Sequence, residues 1–216
     1  MAITHNLPMP RYLTAILLLM LTCLAGCNVV GAVQYAAMGP PRQEAMYVPP
    51  KRPTLVLVEN YKTPSAVAMD ADRLAMLVGQ ELAAQQVAPI VDQAHLSALR
   101  ERKGSEFRNM RISEIGRAVQ ADQVIYINLV ESEVQQTAGL LKAVIAVRVK
   151  VVDAHTGETL WPKDSADGYL ISNETPVVRP EENVTESTIR AQMLALTARH
   201  VGRLFYSWKP SGFGDE

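Results

Sequence analysis

The chain has 216 residues, with 21 Lys and Arg against 22 Asp and Glu and a formal net charge of −1. A charge this balanced excludes the strongly basic field that draws proteins to nucleic acid or anionic lipid. Hydrophobic residues make up 48% of the sequence but aromatic ones only 6%, so the core must be packed mainly by Val, Leu, Ile and Ala, as in an α/β domain.

Before Cys27 the only fixed side-chain charge is Arg11, and Tyr12 to Leu24 is uncharged and largely apolar. A membrane-spanning helix needs about 20 apolar residues, more than this run supplies. A cationic start, a short apolar core and small residues at a cleavage point instead make residues 1–26 a secretory signal. Leu24-Ala25-Gly26-Cys27 resembles the lipobox of bacterial lipoproteins. That resemblance implies cleavage before Cys27 and acylation of its thiol and new amino group, so that membrane lipid is one partner. Two or three acyl chains hold a protein stably where one does not. An ordinary signal peptide or an uncleaved anchor are the alternatives. Asn28, in place of the aspartate that favours inner-membrane retention in such lipoproteins, leans toward the outer membrane, facing the periplasm. Cys23 leaves with the signal, so the mature chain has no cysteine pair for a disulfide.

Residues 27–53 hold five prolines (40, 41, 49, 50 and 53). Proline fixes φ and lacks the backbone donor, so this stretch reads as a semi-extended tether, with Val29–Met38 able to lie on the bilayer or dock on the domain. The domain proper is expected over residues 54–208, with 209–216 as a flexible tail.

Within it, Thr54–Glu59 (TLVLVE) reads as an interior strand, apolar on both faces. A helix follows over 70–86, with Leu74, Leu77, Val78 and Leu82 on one face and Asp70 as N-cap. Val87–Val91 reads as an edge strand interrupted by Pro89. Asp92 caps a second helix that ends at Gly104, 105–111 is a loop, and 112–120 is a short third helix. Residues 123–132 form a central strand.

Residues 143–153 alternate Ala143, Ile145, Val147, Val149 and Val151 against Arg148 and Lys150, which predicts a half-solvated strand. The turn chemistry of Asp153–Glu158 returns it antiparallel to Thr159–Trp161. One more strand is possible at 168–172. The last helix spans 184–208, with Asn183 and Glu186 at capping-box spacing and Ile189, Met193, Leu196, His200 and Leu204 as its buried stripe. The order strand-helix-strand-helix-helix-strand-strand-strand-helix describes a single α/β domain, a mixed-sheet sandwich with crossovers in its first half and a meander in its second.

The stretches APIVDQAHLSALRERKG and RISEIGRAVQADQVIYINLVESE, followed by a strand ending VVDAHTGETLW, resemble a group of envelope lipoproteins. The group includes the curli-secretion lipoprotein, the lipoprotein activators of penicillin-binding proteins, and the amino-terminal domain of the Tol–Pal propeller protein. The resemblance covers roughly residues 53–207 and rests on apolar patterns, the Ala121-Asp122 pair and the Asp153-to-Gly157 turn. It implies a non-enzymatic domain that binds or assembles envelope proteins, and it carries over no catalytic residue. One departure is that Glu133–Lys142, with only VQQTAGLL between them, supplies no long strand pair of the 9–11 residues a lipid-facing hairpin needs.

No metal, cofactor or nucleophile pattern emerges: His95, His155 and His200 lack ligand spacing, and neither a phosphate loop nor a GxSxG elbow occurs. Asp70-Ala71-Asp72 reads as helix-start chemistry rather than a cation site. Arg100, Arg102, Lys103, Arg108 and Arg111 form a local basic cluster, either a solvated helix end or a docking surface for an acidic partner. The sequence therefore points to a lipid-anchored adaptor or assembly factor, possible homo-oligomer included. The alternative is a small-ligand or glycan-binding domain with its pocket near Tyr126, Asn128 and the loops after Glu59 and Glu131.

Overall fold

The computed structural model describes residues 40–60, 68–177 and 185–210. The signal, Cys27, Asn183 and the end of the tail lie outside the described residues. Glu44–Trp208 forms one compact unit. This unit is the α/β domain, whose first strand starts at Thr54.

Its elements are β1 (Thr54–Glu59), α1 (Ala68–Ala84), α2 (Gln93–Lys103), a 3-10 segment (Gly104–Asn109), α3 (Ile112–Ala118), β2 (Gln123–Thr137), β3 (Leu140–Asp153), β4 (Thr159–Trp161), β5 (Tyr169–Glu174) and α4 (Glu186–Arg203). The five strands make one mixed sheet in the order β1-β2-β3-β4, with β5 also on β3 beside β4. β1 runs parallel to β2, and every other pairing is antiparallel.

The apolar alternation decides the layers. Val56, Val58, Ile125, Ile127, Leu129, Val147, Val149 and Val151 point to one face, where α1 and α4 cover them. Leu74, Val78 and Leu82 of α1 are wholly buried there, each contributing about 1.5–3 kcal/mol of transfer free energy. Leu55, Leu57, Val124 and Tyr126 point to the other face, under Leu96, Leu99, Phe107, Ile115 and Val119 from α2, the 3-10 segment and α3. α3 sits so close that a Cβ on Gly116 would lie 2.7 Å from Val124 Cγ2 and 2.9 Å from Ala154 Cβ.

Several expectations need correction. β1 is an edge strand, buried on both faces because helices cover both. Val87–Val91 is not a strand: it contributes one parallel bridge, Thr54 to Ile90, because Pro89 can offer only its carbonyl, which Thr54 N meets at 2.8 Å. The hairpin is longer than expected, since β2 continues to Thr137 and β3 begins at Leu140. The loop joining them is Ala138-Gly139, both at positive φ (50° and 75°), the two-residue turn whose twist matches paired strands. A bulge between Leu129 and Glu131 re-phases β2 within this hairpin.

α4 starts one residue after its cap, Thr185, whose Oγ1 accepts Thr188 N at 3.2 Å. Its buried stripe runs through Ile189, Met193, Leu194, Thr197, Ala198 and Val201, leaving Leu196 and His200 half-buried. The caps at Asp92 and Gly104 occur as expected. So does the Asp153 turn, in which Asp153 Oδ1 accepts His155 N at 2.8 Å and Thr156 N at 3.0 Å. Those two amide donors, Thr156 foremost, hold the Asp153 carboxyl below its ordinary range, helped by Arg52.

Candidate interaction surfaces

The basic cluster does not form one field. Arg100 Nη1 donates to Asp72 Oδ1 at 2.8 Å, and its guanidinium lies 5.3 Å from the Phe107 ring centre. Lys103 pairs with Glu106 at 3.5 Å. Arg111 precedes α3, and its backbone N–H donates to Glu114 at 2.9 Å. Arg108 is exposed beyond the buried Phe107, while Arg102 lines an open groove of about 390 Å³ with His95, Glu101 and Gln120. Because acids sit against two of the five cations, the surface is mixed in sign.

The pair Asp70 and Asp72 is split by helix geometry: Asp72 points out to Arg100, Asp70 in. Asp70 is not the N-cap, because α1 begins two residues earlier and the buried carboxylate has better partners. Its Oδ2 accepts Ser132 Oγ at 2.9 Å and Arg190 Nη1 at 3.0 Å. Arg190 Nη2 donates to Glu186 at 2.8 Å. These carboxylates, Glu186 first, raise the guanidinium pKa further against the opposing effect of burial. The cluster joins α1, β2 and α4 beside an open groove of about 600 Å³ lined by Met69, Arg73, Ser187 and Leu194 among others. Nothing in the sequence brings Asp70 and Arg190 together.

Tyr126, expected at a pocket, is buried in the second core, and Lys150 Nζ lies 5.3 Å from its ring centre. It is packing rather than a pocket wall. Asn173 and His200 form another interior polar link: Asn173 Nδ2 donates to the buried Thr197 Oγ1 at 2.9 Å, and Asn173 Oδ1 meets His200 Nδ1 at 2.7 Å. Among the described residues no group of three or more His, Cys, Asp or Glu could hold a metal ion, and no helix is long and apolar enough to cross a membrane.

The third surface is aromatic. Residues 44–53, the second half of the expected tether, run along the domain as a strap. Tyr47 N donates to Leu204 O at 3.0 Å, and its ring stacks on Trp161 at 6.2 Å between centres. Trp161 also meets Tyr169 at 5.6 Å and Phe205 at 6.0 Å. Burial pushes the Tyr47 hydroxyl pKa up. Beside it Tyr169 is 37% exposed, and Met46 and Val48, flanking Tyr47 in the chain, are 52% and 73% exposed; Leu170, 50% exposed, points to the opposite face of the sheet with Arg148. Exposed apolar side chains grouped about a half-buried tryptophan mark a contact surface. The second tryptophan, Trp208, stacks under the Arg203 guanidinium at 3.8 Å.

No protein-family model matches the sequence, and no curated protein matches it. Among solved structures, the domain is similar to the lipoprotein GNA1162 from Neisseria meningitidis, at 15% identity over 69% of this chain and 96% of that one, with a TM-score of 0.43. It is also similar to the PelC dodecamer from Paraburkholderia phytofirmans, at 12% identity over 77% and 96% with a TM-score of 0.42. A hypothetical protein from Chlamydia trachomatis matches at 12% identity over 72% and 98%, with a TM-score of 0.46.

Proposed function

We propose that this chain is a lipid-anchored protein of the bacterial cell envelope whose α/β domain acts by binding other proteins rather than by catalysis. The observation that carries the reading is Leu24-Ala25-Gly26-Cys27 directly after a short apolar core. Acylated Cys27 holds the domain at a bilayer, and Asn28 favours the outer membrane with the domain on its periplasmic side. The exposed apolar rim around Trp161 supports the binding half of the reading. On the finer point, an adaptor or assembly factor suits a domain that carries this exposed aromatic surface beside an open sheet edge.

Mass spectrometry of the purified native amino terminus tests the anchor: a mature chain starting at acylated Cys27 is expected, and one starting at Met1 refutes it. Crosslinking in intact cells tests the binding role: reproducible envelope-protein neighbours are expected, lost with Cys27→Ser. A second reading, small-ligand binding, draws support from the groove beside Asp70 and Arg190. Thermal shifts with envelope metabolites, abolished by Arg190→Met, would favour it instead.

A further inference from the structure

The two edges of the sheet are finished differently. At β1, the Val56 carbonyl accepts Gln93 Nε2 at 2.9 Å, and Thr54 exchanges backbone bonds with Pro89 and Val91 at 2.8 and 2.9 Å. That edge is occupied at Thr54 and Val56. At β5 no strand lies beyond it among the described residues. Thr175 N donates to Ala143 O at 2.9 Å, which sets the antiparallel alternation. Tyr169, Ile171 and Asn173 face their bonding partners on β3, while the N–H and C=O groups of Leu170, Ser172 and Glu174 point away from it. An open strand edge with exposed apolar side chains is a template for another strand.

Charge says which strand. Arg148 lies directly opposite Leu170 on β3; it is half-buried and, among the described residues, has no ion pair or hydrogen-bonded partner. The only charge on β5 is Glu174, which Lys142 meets at 3.1 Å from one side. Antiparallel pairing of β5 with itself about Ser172 would set Ser172 against Ser172 and Leu170 against the partner's Glu174. One cross-strand row then reads Arg148, Leu170 and the partner's Glu174. Arg148 and that carboxylate are two strand spacings apart, roughly 10 Å between backbones, a gap their side chains span across the exposed Leu170.

The two Glu174 residues stand four residues apart, roughly 13 Å, so like charges do not oppose. A register centred on Glu174 would oppose them directly, and one centred on Leu170 would carry Glu174 off the end of the opposing strand. The Ser172 register also brings the partner's Val177, itself 59% exposed, past Tyr169 at the margin of the aromatic cluster.

We infer that the domain forms a two-fold dimer by antiparallel β5–β5 pairing centred on Ser172, locked by reciprocal Arg148–Glu174 ion pairs. This goes beyond the anchor reading and holds whether or not Cys27 is acylated. The test is the mass of the full mature chain in detergent, by sedimentation with light scattering. A dimer is expected. Ser172→Pro removes an outward N–H that β3 does not use, a change edge strands tolerate, and should give a monomer with unaltered circular dichroism.

Arg148→Glu and Glu174→Arg should each weaken association about tenfold, and the double charge swap should restore it. The swap keeps the test decisive should the proline variant misfold. A chain that is monomeric at about 100 μM, as it would be if the edge served a strand of another protein, overturns the proposal. So does a higher oligomer, a dimer indifferent to a well-folded Ser172→Pro, or a charge swap without rescue.

Discussion

Replacing Arg190 with methionine isolates a cluster that ties three distant elements together. Asp70 has a side chain only 10% exposed, against 27% for Arg190 and 55% for Glu186. Arg190→Met therefore leaves a buried carboxylate with Ser132 as its remaining partner. The lost charge-assisted bond is worth about 1.5–3 kcal/mol, while the exposed Glu186 pair adds at most about 0.5 kcal/mol. Water can reach the vacated site past the partly exposed arginine position, so the total should fall near 2–3 kcal/mol, below the roughly 3–5 kcal/mol of a fully buried pair.

For a domain of this size that corresponds to a Tm lowered by about 4–12 °C. Asp70→Leu with Arg190→Met removes both charges and should cost less than Arg190→Met alone. Urea denaturation of the two single variants and the double closes the cycle. An Arg190→Met cost under about 0.5 kcal/mol, or costs that add within about 0.5 kcal/mol, would refute the coupling.

Ala138 holds a left-handed conformation at φ 50°, so Ala138→Asn should stabilise by about 0.5–1 kcal/mol, read as a raised urea midpoint. Gly116→Ala should lose about 1–2 kcal/mol net, because the contacts with Val124 and Ala154 outweigh the roughly 1 kcal/mol gain in helix propensity; the same denaturation assay reports it. The Tyr206 hydroxyl donates to Glu81 at 2.5 Å, and burial, with Glu81, pushes its pKa well up. Its contribution is fully present below the unfolded value near 10 and is lost as pH rises above it, so Tyr206→Phe should flatten the alkaline limb of the stability curve. Asp153 works in the opposite sense: its depressed pKa stabilises above the ordinary aspartate value of about 3.9 and is lost as pH falls through the folded value. Asp153→Asn should flatten the acid limb below about pH 4, seen in denaturation midpoints taken through the acid range.

Local chemistry was legible in the sequence, and long-range partnership was not. The β1 strand, the caps at Asp92 and Gly104, and the turn at Asp153 depend on neighbours within a few residues, and each stands where its residues place it. The hairpin tip was missed because Glu133, Gln135 and Gln136 are polar and exposed. Those residues are held extended by register with β3, not by an apolar face of their own. Asp70 misled because an aspartate at a helix start usually caps it, whereas here a guanidinium 120 residues away draws it inward. Residues 87–91 misled because a short apolar run reads as a strand, although only the Pro89 carbonyl and the Val91 N–H meet β1, both at Thr54. The β5 edge, open among the described residues, could not be read at all, since an edge is defined by what lies beside it and only topology supplies that.

The strap shows why a proline-rich run can be ordered without being regular. Proline removes a donor but keeps its acceptor, and the approach to β1 uses those acceptors repeatedly. The Pro50 carbonyl takes Gln123 Nε2 at 2.8 Å, and the Pro53 carbonyl takes Asp122 N at 2.9 Å. Gln123 is wholly buried and also donates to Thr54 Oγ1 at 2.8 Å, so one amide fixes the strap and the first strand together. At the other end, Tyr47 is held by Leu204 and Trp161. Trp161 touches both Tyr47 and Tyr169, the first residue of the open edge strand. Residues 44–53 thus rest on the same aromatic cluster that borders β5. A change at the strap therefore reaches the proposed dimer edge through direct ring contact, with no route through the core required.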